Sequence, residues 1–501
     1  MKQPRLVHGL AVAALTCSAV LVPAQAAPPP APESAPQRFV TRHELATAGG
    51  KLAYTATAGE TVLRDGKGEP RASFFTWAYT ADGADPAQRP ITFVFNGGPG
   101  SASVWLHLGL VGPKRVVVPS DAEHAGAPPY GLRDNTESIL DVTDLVCIDP
   151  IGTGFSRALG AAKDADFWGF DEDAASIADF IRRYLTENRR WASPKYLLGE
   201  SYGGTRGALL LQQMQGGLTA TMFNGAMFVS PAFDLELVDG TGSDLEAVLL
   251  LPTLAAVAAY HRALPEPPED LDAFLQEARR FAREVYQPAL FAGQDLPADR
   301  RAAVLAGLHR FTGLSEDYLD RARLRLDAGR FQRELLRSRG LVVGRLDGRF
   351  TGTELNDVGE LPSEDPMGPA ISGAYVATFL DYVASELEVR MDRDYQVFSP
   401  DAGGAWQRGK KYGAPFAGWF DVKLNLGRAM ASNPKLRLFV ASGLYDHATT
   451  FFAAEYVMAR PYIDRQRVTV KHYPSGHMMY LHQPSLQQLA ADLRAFVTAG
   501  G

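Results

Sequence analysis

The sequence predicts an α/β protein: a mostly parallel central sheet flanked by helices, with an inserted, mainly helical segment. Three observations predict it. Compact apolar runs at Ile91–Phe95, Leu145–Ile148 and Lys195–Leu198 alternate with a segment, Asp171–Tyr184, whose residues Ala174, Ile177, Ala178 and Ile181 fall near helical spacing. From about Leu235 the texture changes, and residues 268–340 become rich in Ala, Leu, Arg and Glu with helical periodicity. Strand-like runs then return at Leu436–Val440 and Val468–Val470, ahead of a closing helix over Leu486–Val497.

Each stretch has a local reason. Lys2, Arg5 and His8 precede an apolar run from Gly9 to Val22, and Ala24-Gln25-Ala26 follows with small residues around one variable position. That is the layout of a cleavable signal peptide over residues 1–26, cut after Ala26, which predicts a secreted or periplasmic protein. The run is shorter than the roughly 20 residues a membrane-spanning helix needs, so no stable membrane insertion is expected after cleavage. Residues 27–37, APPPAPESAPQ, read as an extended proline-rich linker. Between Lys51 and Tyr79, alternating runs broken by glycine turns predict antiparallel strands. The sheet domain is therefore expected in two parts, 38–234 and 401–501, with a helical cap over 235–400.

Composition removes several classes. The chain has 501 residues, 46% hydrophobic and 21% charged, which excludes a mainly disordered or collagen-like protein. A net charge of −7 lacks the basic footprint of a nucleic-acid binder. Two cysteines support neither a disulfide framework nor a cysteine-based zinc site. Cys17 falls in the leader, and Cys147 sits in an apolar strand as a core residue. There is no HExxH, and no ligand-spaced His/Asp/Glu cluster outside the catalytic candidates, so no metal or cofactor is expected.

The chemistry concentrates in a few loops. Gly199-Glu200-Ser201-Tyr202-Gly203 fits a G-x-S-x-G elbow, with a strand running into it and helix-forming residues after it. A serine hydroxyl needs a base, and the base needs an orienting carboxylate. Asp446 follows the strand Leu436–Val440, and His477 follows the strand Val468–Val470, in the order Ser, Asp, His. His447, His472 and His482 compete for the base; His477 is favoured by its glycine neighbour and its loop position. Asn96-Gly97-Gly98-Pro99-Gly100 ends the strand Ile91–Phe95 and is suited to supply an oxyanion N–H, with Tyr202 N–H as the second donor. No phosphate-binding glycine pattern is present there.

Five segments taken together, FNGGPGSAS (95–103), DPIGTGFSR (149–157), GESYGG (199–204), GLYDHATT (443–450) and PSGHMMYLHQP (474–484), resemble the serine carboxypeptidase family in sequence and order. The resemblance implies an α/β-hydrolase fold with an inserted cap. It also implies an acid-tolerant exopeptidase whose partner is a peptide with a free C-terminal carboxylate. It makes Ser201 the nucleophile, His477 the base, Asp446 its orienter, and the N–H groups of Gly98 and Tyr202 the oxyanion hole. It assigns Asn96 and Glu200 to the substrate carboxylate, Glu200 donating only while protonated. Three departures stand out: Ser101 where relatives often carry cysteine, Gly204 in place of a common alanine, and Leu110 where relatives often carry a second glutamate. Met478, after the base, is a candidate wall of the leaving-residue pocket. The alternatives are a carboxylesterase or acyltransferase using the same triad, and a binding protein that keeps the fold without catalysis. Side-chain preference and oligomeric state are not legible.

Overall fold

The computed structural model describes residues 35–47, 49–238, 242–407 and 420–500. The leader and residues 27–34 of the proline-rich linker lie outside the described residues. Pro36 onward forms one compact unit.

The main sheet has ten strands: β1 (Arg38–Thr47), β2 (Gly50–Arg64), β3 (Pro70–Ala81), β4 (Ile91–Phe95), β5 (Asp144–Ile148), β6 (Arg157–Ala158), β7 (Lys195–Glu200), β8 (Gly225–Val229), β9 (Arg437–Gly443) and β10 (Val468–Tyr473). Their order is β1-β2-β3-β5-β4-β7-β8-β9-β10, with β6 paired to β3. The first three strands and β6 pair antiparallel. From β5 to β10 every pairing is parallel. The burial patterns follow that division. β2 alternates between buried and partly exposed positions along part of its length, as an antiparallel strand with one wet face should. β4, β5, β7 and β8 are buried at every residue, because helices cover both faces.

Successive side chains on these strands feed two apolar clusters. Phe93 and Leu197 point into one, and Val94 and Leu198 into the other. The first cluster is closed by α1 (Phe170–Glu187), α2 (Tyr202–Gln215), α3 (Asp244–Tyr260), α4 (Leu271–Phe281), α5 (Ala298–Thr312), α7 (Lys423–Ser432) and α8 (Phe451–Met458). The second is closed by α6 (Met367–Ser385) and α9 (Gln483–Thr498). α1 begins with Asp171, Glu172 and Asp173, acids that suit a helix N-terminus, and buries Ala174, Ile177, Ala178 and Ile181 against the sheet. The 235–400 stretch is divided between the two faces: α3 packs with α4, α5 and α8, whereas α6 lies across the sheet from them. Among the described residues no helix is long and apolar enough to cross a membrane.

The sequence order β5-β4-β7 reverses direction around β4, and ligands of open parallel sheets bind beyond the carboxyl ends of strands at such reversals. The loops after β4, β7, β9 and β10 all emerge at that end. Phe93 lies under it, fully buried and edge-on to Tyr184 at 5.8 Å between ring centres. Phe93→Ala should lower the unfolding free energy by about 3–5 kcal/mol, read from denaturant midpoints.

Candidate active site

Ser201 stands between β7 and α2 with φ 59° and ψ −124°, a left-handed conformation that strains a residue with a Cβ. The turn closes because Gly199 has no side chain; a Cβ there would collide with the carbonyl oxygen of Gly203. Gly97 allows the second close approach. A Cβ on it would lie 2.5 Å from the Tyr202 nitrogen and 2.9 Å from Ser201 Cβ. The loop after β4 therefore packs directly on the elbow after β7. Tyr202 opens α2, and the first N–H groups of a helix have no acceptor within it. Gly98 and Ser201 line both lobes of the cleft described below, and Tyr202 lines one of them.

Asp446 and His477 come together at the ends of β9 and β10. His477 Nδ1 lies 2.7 Å from Asp446 Oδ2. Asp446 is wholly buried and fixed by four donors: the N–H groups of Ala448 and Thr449 to Oδ1 at 2.8 and 3.0 Å, and to Oδ2 the His477 ring and Thr449 hydroxyl, the latter at 2.6 Å. The backbone of His477 is held too, its N–H donating to Leu346 and its carbonyl accepting from Ser230 Oγ. Burial opposes the charged imidazolium, but the Asp446 carboxylate outweighs it, and the His477 pKa rises above its ordinary value. The other histidines have different partners. His447 Nδ1 meets the Gly344 carbonyl and its ring packs on Phe331. His472 pairs with Glu455, and His482 with Ser485.

Glu200 is buried beside Ser201. Asn96 Nδ2 donates to its Oε2, and Tyr480 O–H donates to the same oxygen at 3.2 Å. Glu200 Oε1 has no hydrogen-bond partner among the described residues, although Glu200 lines the cleft. Burial pushes the Glu200 pKa up to about 7, against the opposing pull of His477, Tyr480 and Asn96. Leu110 is buried in a π-helical turn, His107–Val111, and offers only its carbonyl, to Asn135 Nδ2. Tyr480 is thus the side chain that shares Glu200 with Asn96.

A second layer fixes the Asn96 loop. Asn96 Oδ1 accepts from the Leu106 N–H at 3.0 Å. Arg206 of α2 is fully buried; its Nε donates to Asp173 Oδ2 at 2.7 Å and its Nη1 to the Asn96 carbonyl at 2.5 Å. Tyr202 O–H reaches the same Asp173 oxygen at 3.3 Å. Asp149, first residue of the 149–157 segment, accepts from Ser103 N–H, Trp77 Nε1 and Tyr395 O–H, tying the loops after β4 and β5 together. Sequence reasoning missed Asp173, Arg206, Thr449 and Tyr480. The one available signal was Arg206, a cation inside the otherwise apolar start of a helix; such a residue needs a buried partner.

The cleft has two lobes meeting at Ser201. One, of about 480 Å³, is lined by Asn96, Trp105, Glu200, Ile371, His477 and Met478. The other, of about 360 Å³, is lined by Phe170, Tyr202, Leu235, Val238 and Trp406. Both volumes are in the range of small-molecule sites. Ser101 lines the first lobe, where its Oγ accepts from Trp105 Nε1 at 2.9 Å.

Comparison with known proteins agrees with this geometry. The serine carboxypeptidase family model matches residues 63–227, a stretch that includes the 95–103, 149–157 and 199–204 segments. The matched stretch, about a third of the chain, is similar to that family. Asp446 and His477 lie beyond the matched stretch. The fold is that of the α/β-hydrolases. Kex1ΔP, a prohormone-processing carboxypeptidase from Saccharomyces cerevisiae, superposes with a TM-score of 0.53 at 14% identity, over 89% of this chain and 91% of that one. Proline iminopeptidase from Mycobacterium smegmatis gives 0.38 at 13% identity, over 88% and 98%. The peroxisomal α/β-hydrolase Lpx1 from Saccharomyces cerevisiae gives 0.39 at 10% identity, over 93% and 91%. No curated protein matches by sequence.

A carboxyl infrared band that disappears in Glu200→Gln should titrate with a midpoint of about 7. Tyr480→Phe removes a donor that favours the carboxylate, so the midpoint should move upward. A midpoint in the ordinary glutamate range would contradict the burial argument.

Proposed function

We propose that this chain is an exported serine carboxypeptidase that removes C-terminal amino acids from peptides through an acyl-enzyme on Ser201. The observation carrying this reading is that Asn96 and a protonatable Glu200 line the same lobe as Ser201 and His477. A group that binds a carboxylate next to the nucleophile selects for chain ends. The leader-like N-terminus supports export.

In this reading the last residue of the peptide occupies the larger lobe and the residue before it the smaller. The terminal carboxylate accepts from Asn96 Nδ2 and from protonated Glu200, whose Oε1 lacks another partner. Ser201 Oγ attacks the scissile carbonyl while His477 Nε2 takes its proton. The oxyanion accepts from the Gly98 and Tyr202 N–H groups, each such donor being worth about 10²–10³ in rate. Asp446 holds the imidazole by Nδ1 and stabilises the imidazolium. His477 then gives the proton to the leaving amine, and the free amino acid departs. Water takes its place, His477 accepts a proton from it, and attack on the ester releases the shortened peptide and restores Ser201.

Leu110 favours a second reading. Without the second glutamate, the same serine, histidine and aspartate would serve an esterase or acyltransferase indifferent to the carboxylate. Tyr480 argues for the first, since it supplies Glu200 with a second hydrogen-bonding partner.

Hydrolysis of an N-blocked dipeptide and its C-terminal amide near pH 5 separates them. The carboxypeptidase reading expects the free amino acid to be released from the acid, at least about tenfold slower turnover of the amide, and a loss of at least about 10⁴-fold in kcat for Ser201→Ala. Equal turnover of acid and amide, or ester cleavage without peptide cleavage, would favour the second reading.

A further inference from the structure

A second cavity lies apart from the cleft and shares no lining residue with it. It is a solvent-open pocket of about 520 Å³ between α3, α8 and the edge strand β10, with Arg283 and Arg465 exposed at it. Its apolar wall is built from Leu249, Phe452 and Val470. One carboxylate lines it, that of Glu455, and its charge is already answered. Arg279 of α4 donates to both Glu455 oxygens, from Nε at 3.1 Å and from Nη2 at 2.7 Å, and His472 Nε2 lies 3.1 Å from Oε1. Burial opposes the ionised form of Glu455, but these donors prevail and hold its pKa below the ordinary value.

Three more cations line the same space: Arg283, Arg460 and Arg465. Arg283 lies over the Phe452 ring at 5.9 Å. Arg460 lies over Tyr456 at 3.9 Å and donates from Nε to that residue's own carbonyl. Among the described residues none of the three has a carboxylate within ion-pair distance. Guanidinium groups are weakly hydrated and present a planar fork of donors that matches a carboxylate, so three of them lining a space with an apolar wall select for a particular chemistry. A cation would be repelled. A small inorganic anion would leave the apolar wall wet. A peptide would bring amides for which that wall has few partners.

We propose that this cavity binds an amphipathic organic monocarboxylate of the medium-chain fatty-acid type. The tail lies against Leu249, Phe452 and Val470, and the carboxylate is held among Arg283, Arg460 and Arg465. The assignment does not depend on the reaction performed at Ser201.

Calorimetric titration of decanoate into the full Ser201→Ala chain tests it, with decyltrimethylammonium as the tail-matched cation. Saturable one-site binding of decanoate is expected, and no binding of the cation. Arg283→Gln/Arg465→Gln should weaken decanoate at least tenfold while leaving hydrolysis at Ser201 unchanged in the otherwise wild-type chain. Added salt should weaken it as well. Non-saturating heats, equal affinity in the double variant, equal binding of the cation, or competition between decanoate and a blocked dipeptide would overturn the proposal. The last of these would place the anion in the cleft.

Discussion

The site depends on one close approach: the loop after β4 lying against the turn after β7. Gly97 permits the contact, since any side chain there would meet the Tyr202 nitrogen. Arg206 holds it, spanning from Asp173 on α1 to the Asn96 carbonyl on the loop. A fully buried guanidinium is costly unless every donor is used, and breaking such a pair leaves an uncompensated charge worth about 3–5 kcal/mol. The clamp is therefore a constraint on position. It sets the distance between the backbone N–H groups of the loop and elbow, and through Asn96 it also sets where Glu200 sits.

Glu200 shows how the same burial changes a side chain's chemistry. A carboxyl removed from water prefers its neutral form, and a neutral carboxyl can donate to an anion. Its two close partners share one oxygen, and the other has no hydrogen-bond partner among the described residues. The charged and titratable groups around it are Asp446, His477, Tyr375 and Tyr480. Its negative charge raises the His477 pKa, and His477 in turn lowers that of Glu200, so the two titrate as a coupled pair. Protonating Glu200 removes one of the causes that raise the His477 pKa; Asp446 remains the larger one.

Much of this was legible in the sequence, for physical reasons. Strands buried on both faces need unbroken apolar runs, and β4, β5 and β7 carry them. An elbow this strained needs glycines, and GESYGG supplies them. That His477, and not His447, His472 or His482, meets Asp446 was legible from its place on a loop past a strand end. What escaped was pairing across long separations. Nothing in the sequence joins Arg206 to Asp173, 33 residues away, or Tyr480 to Glu200, 280 residues away. Nor does helical periodicity say which face of the sheet a helix covers, so the division of 235–400 between α3–α5 and α6 was invisible. The missing glutamate at Leu110 was visible, but not that a tyrosine on a different loop donates to Glu200.

The most direct test of the account is the pH profile of kcat/KM for a blocked dipeptide acid, in wild type and in Glu200→Gln. For wild type the account predicts an alkaline limb. Activity should fall above about pH 7 as Glu200 ionises against the substrate anion, approaching a tenfold loss per pH unit. Glu200→Gln keeps a neutral donor at every pH, so its alkaline limb should vanish while the acid limb, set by His477, persists. An unchanged alkaline limb in Glu200→Gln would contradict the claim that a protonated Glu200 binds the substrate carboxylate.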